Sequence, residues 1–210
     1  MKHAKNQPKI DSPGAGSVGS EKQRMQDEQM AEHAARMNAE EKWREDMRNG
    51  VHYGGVDLNG TIVEFEKQDF FEPGLSFLFP KDFLLCTLET EQQMVYQNEA
   101  HALNIILQYT ERPEQAIDLK QMKTDMIRSM ANMELHTEWL EDGTEEVNGQ
   151  LIHYCSFLNP VAHGKVFNFL FFVDAGHKRL IANINGNDKH VKRWSIIALE
   201  MIRSVEGASA

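Results

Sequence analysis

The chain has 210 residues, with 22 Lys and Arg against 32 Asp and Glu, a formal charge of −10. That length holds one good core, or one domain with an appendage. The acidic balance argues against a nucleic-acid binder, whose affinity comes from cations neutralising phosphates, and against docking on anionic lipid.

Residues 1–20 are rich in Pro, Gly, Ser and Lys and lack apolar anchors, which predicts a disordered leader. The leader has no apolar h-region, and no run in the chain reaches membrane-spanning length, so the expected setting is cytoplasmic. Through Gly50 acids and bases cancel, and the excess of acid lies downstream. Residues 21–49 hold no Gly or Pro before Arg48 and read as a polar helix, with Glu32/Arg36 and Glu40/Arg44 as favourable pairs one turn apart. Its apolar residues are few. Met30 and Met37 make a short stripe and Trp43 follows; these are candidates for partner contact, against the plainer reading of a solvated helix. Residues 50–60 carry several glycines and read as a linker.

The domain is expected over residues 61–206. Strands are predicted at 61–65, 75–79, 83–89 and 102–109, with Pro80 ending the second. Asp118 opens a helix, with Gln121 in capping-box relation. Leu119, Met122, Met126, Ile127, Met130 and Met133 then line one face, which predicts a core stripe. Strands follow at 134–140 and 144–147, joined by an Asp142-Gly143 turn. Asn148-Gly149 is the strongest hairpin signal in the chain, and a strand at 150–158 follows it. Residues 164–205 are predicted as a strand, a turn at Asp174–His177, a returning strand and a closing helix. Across an Ala175-Gly176 turn, Asn168 is expected to face Asn183 and share its amide hydrogen bonds. On the last helix Trp194 joins Val191, Ile197 and Met201 and is expected to be buried.

Motifs that would carry a reaction are sparse. No P-loop, dinucleotide fingerprint, nucleophile elbow or paired-Cys zinc spacing occurs. Cys86 and Cys155 both lie in apolar runs and read as buried hydrophobes. His153 and Cys155 share a strand face but read as packed rather than catalytic. His163, His177 and His190 all sit near turns and could converge on a metal, though separate surface histidines is the plainer reading. No catalytic residue, cofactor or metal site is expected. Glu138, Glu141, Asp142, Glu145 and Glu146 form an acidic stretch without Lys or Arg. It either attracts a basic partner or guards a sheet edge.

The order of elements resembles the PsbP-like superfamily. So do the phrases LSFLFPKDF at Leu75, VNGQLIHYCSF at Val147, GKVFNFLFFV at Gly164 and KRLIANI at Lys178, and the Trp194-bearing last helix. This group includes the photosystem II extrinsic protein PsbP, a Ran-binding nuclear-import factor and many bacterial proteins. The resemblance covers residues 61–205. It implies an α+β fold, an antiparallel β-sheet flanked by helices in an α/β/α sandwich, here preceded by a separate N-terminal helix. It also implies a non-enzymatic interaction module with no shared catalytic residues. The expected function is a protein-binding adaptor with a basic or apolar protein partner. The alternatives are a chaperone for a secreted effector, as some bacterial relatives are, or an immunity-type protein for one, and a metal- or small-ligand-binding domain.

Overall fold

The computed structural model describes residues 17–71 and 74–207. The chain divides between Trp43 and Arg44 into two units. The boundary falls within helix α1 (Ser17–Tyr53). In the first unit α1 is polar all round: Met30 and Met37 are exposed and Trp43 is half-buried. Most of the predicted leader lies outside the described residues, and residues 17–20 already belong to α1.

In the second unit the expected linker is ordered. Residues 50–53 finish α1, with Val51 buried, and Gly55 closes the helix at φ +86° by donating its N–H to the Gly50 carbonyl at 2.7 Å. Gly50 must lack a Cβ, because one would stand 2.6 Å from the Gly55 oxygen. Next come β1 (Val56–Leu58) and β2 (Thr61–Val63), a hairpin closed by Asn59 and Gly60, both at positive φ as a type I′ turn requires. Val56, Leu58 and Val63 are buried. The glycines serve a helix end and a hairpin rather than a tether.

Strands β3 (Phe65–Phe70) and β4 (Leu75–Pro80) form a second hairpin. The main sheet contains β5 (Leu85–Glu89), β6 (Gln93–Asn98), β7 (Leu103–Glu111), β8 (Glu138–Val147), β9 (Gln150–Val161), β10 (Gly164–Ala175) and β11 (Lys178–Asn187). All pairs are antiparallel, in the order β5-β6-β7-β11-β10-β9-β8. Helix α2 (Leu119–Asn132) precedes β8, and α3 (Val191–Arg203) closes the chain. The architecture is α+β, a large antiparallel sheet with flanking helices.

Alternation along the strands gives the sheet two unlike faces. The inner face carries Leu103, Ile105, Leu107 and Tyr109, Phe167, Phe169, Phe171 and Val173, and Leu180, Ala182 and Ile184, all buried. The β3–β4 hairpin and α3 cover it. Phe77 meets Phe171 edge-on at 6.0 Å, and Phe79 packs on Tyr96 at 4.7 Å. Trp194 is 4 % exposed, as its place on the stripe predicts.

Three expectations fail on local chemistry. Asp142-Gly143 is not a turn but the middle of β8. Gly143 faces Tyr154, whose ring occupies the space of a side chain: a Cβ would lie 2.5 Å from the phenol oxygen. The β10–β11 hairpin turns at Gly176-His177, so Ala175 pairs with Lys178 and the register moves by two. Only Gly176 of those two loop residues has positive φ, the pattern of a type II′ turn. Asn168 therefore faces Asn185, and Asn183 faces Leu170. A shift of two keeps every side chain on its predicted face. Finally, Cys86 is exposed on edge strand β5 and only Cys155 is buried.

Candidate interaction face

The outer face of the sheet is built differently from the inner one. Its first row runs across six strands in register: Gln97, Asn104, Asn185, Asn168, Phe157 and Trp139. The second is Val95, Ile106, Asn183, Leu170, Cys155 and Asp142, and the third Gln93, Gln108, Ile181, Phe172, His153 and Thr144. Amides occupy the middle of the first row and apolar side chains the rows beside it. The Asn104 amide donates to Asn185 Oδ1 at 2.9 Å. Asn168, 9 % exposed, donates at 3.4 Å to the Val166 carbonyl of its own strand. Asn183 Oδ1 is buried and accepts no hydrogen bond.

Helix α2 stands against this face at β8. Asp118 caps it, its side chain accepting from the backbone N–H groups of Lys120 and Gln121. Lys123 reaches Asp142 at 3.1 Å and lies over the Trp139 ring, which stacks on Phe157. The ammonium holds the Asp142 carboxyl below its usual range; partial burial opposes this and the Trp139 indole N–H assists. The methionine stripe is not core. No residue of α2 is buried: Met122, Met126 and Met130 are half-buried, Ile127 and Met133 exposed. Across the sheet Ile106, Leu170, Phe172 and Ile181 are also only half-buried. Native interiors close-pack such surfaces. Here an apolar helix face and an apolar sheet face share one side of the domain, and both remain partly open.

The other predicted site residues separate. Glu138 pairs with Lys165, Asp142 with Lys123 and Glu145 with Arg203. The acidic stretch is thus largely engaged within the domain, with Glu138, Glu141 and Glu145 on the inner side of β8 and Asp142 and Glu146 on the outer. His163 and His177 lie in the turns at opposite ends of β10, so the three histidines do not converge. Among the described residues no three His, Cys, Asp or Glu side chains come together in a metal-ligating group. No helix there is long and apolar enough to cross a membrane.

His153 and Cys155 share the outer face as expected. Burial pushes the Cys155 thiol up to about 12, which leaves no thiolate near neutrality. Burial, with the charge of Arg179, lowers His153 below its usual 6.5, against an opposing pull from Asp174. Its Nδ1 lies 2.8 Å from Thr144 Oγ1, placed to accept from the hydroxyl while the ring is neutral. A histidine depressed on folding binds more protons when unfolded, so stability falls as pH drops through the unfolded value and levels off below the folded one. Urea midpoints should therefore decline between about pH 7.5 and pH 5.5. His153→Gln should flatten part of that decline, whereas an unchanged slope would assign it to other groups, such as His190, also lowered by burial.

Neither a protein-family model nor a curated protein matches the chain. Solved structures do. Cyanobacterial PsbP from Synechocystis sp. PCC 6803 aligns over 72 % of this chain and 97 % of its own, with a TM-score of 0.53 at 11 % identity. The fold is therefore PsbP-like. PA94 from Pseudomonas aeruginosa, a protein of unknown function, aligns over 64 % of this chain and 94 % of its own, at a TM-score of 0.36 and 9 % identity, too slight a likeness to argue from.

Proposed function

We propose that this chain is a non-catalytic protein-interaction module whose outer sheet face, with α2 beside it, receives an apolar segment of a partner protein. The observation that carries this reading is the shared opening of two apolar surfaces, the Met122–Met126–Met130 stripe and the Ile106–Leu170–Phe172–Ile181 patch, around a row of amides. Methionines adapt to varied apolar shapes. The amides, including the orphan acceptor of Asn183, supply hydrogen bonds that fix an orientation. A chaperone for apolar segments of a secreted effector is the specific form this chemistry suits best, and an adaptor the general one. Met30, Met37 and Trp43 on α1, and Glu141 and Glu146 on β8, are separate candidates for partner contact.

A photoreactive amino acid at Ile181 should capture the partner in cells, and one at Glu91 should not. Leu170→Asp should reduce the Ile181 product by about tenfold or more, as for loss of a buried interface anchor, while far-ultraviolet circular dichroism stays unchanged. Equal capture from both positions, or capture indifferent to Leu170→Asp, would place the binding surface elsewhere.

A further inference from the structure

The seven-stranded sheet has two edges, and they are guarded very differently. An open edge offers unpaired N–H and C=O groups to any strand that approaches, and proteins blunt it with charge, bulges or shortness. At β8 the defence is heavy. The strand carries Glu138, Glu141, Asp142, Glu145 and Glu146, and a bulge lies between Trp139 and Glu141.

At β5 the defence is slight. Every residue of Leu85–Glu89 is exposed, and Leu85, Cys86, Thr87 and Leu88 carry no charge. Leu85 is 71 % exposed and Leu88 42 %; by their pairing with Gln97 and Val95 both lie on the outer face. The strand is short and has a bulge between Cys86 and Leu88, but no Lys, Arg or Pro stands on it.

We infer that β5 is a pairing edge, and that its partner is β5 of a second copy of this chain. The neutrality of Leu85–Leu88 chooses the occupant; Glu89, the one charge on β5, stands at its end. Two copies each of charge −10 repel, and at a two-fold axis the central residues of the edge meet their own copies, so a charge near the axis would lie beside its like. Self-pairing needs an uncharged stripe. A foreign strand recognised by charge would need a run of charges, which β8 has and Leu85–Leu88 lacks. Antiparallel pairing about an axis normal to the sheet joins the two main sheets into one. It sets Leu85 and Leu88 of both copies together and keeps both outer faces on the same side. The apolar face of one copy then runs into that of the other. The pairing stands whether or not that face binds a partner.

Cys86 reports on the contact. With the axis at Cys86 or at Thr87, the two Cys86 Cα atoms lie about 5–8 Å apart, within reach of a short bismaleimide. Light scattering on the full chain at about 100 µM, a concentration suited to a small interface, should give twice the monomer mass. Bismaleimide should yield a covalent dimer that Cys86→Ser abolishes and Cys155→Ser leaves intact. Leu85→Lys with Leu88→Lys should return the monomer with an unchanged far-ultraviolet circular dichroism spectrum, because both side chains are exposed. A monomeric wild type overturns the proposal. So does a dimer that survives both lysines, or one in which Cys86 does not cross-link.

Discussion

Replacing Trp194 with alanine is expected to cost about 3–5 kcal/mol, the range for truncating a large buried aromatic. The side chain is 4 % exposed and sits among Ile197, Ala198 and Met201, each wholly buried, on the helix that seals the inner face. Helix α3 packs on β4, β8, β10 and β11, so a cavity at Trp194 loosens contacts to both the hairpin layer and the sheet. A domain of this size holds only about 5–15 kcal/mol in all. The variant should therefore fold at low temperature and melt roughly 10 °C or more below wild type. Urea denaturation followed by circular dichroism measures the loss. A cost under about 1 kcal/mol would contradict the burial.

The parts of the fold that were legible in the sequence are those where one signal dominates. The α3 stripe, the Asp118 cap and the Asn148-Gly149 turn each rest on one local rule, and each stands where predicted. Glycine was harder, because it has several uses. Gly55 ends a helix, Gly60 completes a type I′ turn and Gly143 makes room for Tyr154, yet in sequence the first two suggest a linker and the third a turn. The Asn59-Gly60 pair was the available clue, since it carries the same signal as Asn148-Gly149 and lies between short apolar runs. Strand β6 was missed because only Met94, Val95 and Tyr96 interrupt its glutamines.

The interaction face was the least legible part. The methionine stripe of α2 has helical spacing whether or not anything covers it, so periodicity identified the face without revealing its exposure. The asparagine row exists only through register. Asn104, Asn168 and Asn185 are scattered in sequence and meet because β7, β11 and β10 are neighbours. Asn183 and Asn185 share a face, so the shift of two replaced one amide neighbour of Asn168 with the other. Alternation was readable where register was not.

Arg203→Ala is expected to cost more than Glu200→Leu, although the two remove opposite ends of one ion pair. Glu200 is buried, its side chain 7 % exposed, and it receives Arg203 Nη1 at 2.7 Å and His52 Nε2 at 2.9 Å, with Arg48 Nε at 3.9 Å. Its partners are more open: the side chain of His52 is 32 % exposed, that of Arg203 40 % and that of Arg48 49 %. Removing Arg203 leaves a buried carboxylate short of its nearest guanidinium and also frees Glu145. Stranding one member of a buried pair costs about 3–5 kcal/mol, and the exposure of Arg203 brings the expectation down to about 2–3 kcal/mol. Glu200→Leu instead leaves Arg203, Arg48 and His52 within reach of solvent and fills the space with an apolar side chain, so it should cost about 1 kcal/mol or less. Urea denaturation of the two variants tests the order, and the reverse order would mean that the carboxylate is itself well hydrated. The same cluster bears on α1, since Arg48 and His52 belong to its last turns, beside buried Met47 and Val51. Both variants should therefore speed proteolysis in residues 44–55 before the sheet opens, with Arg203→Ala the faster.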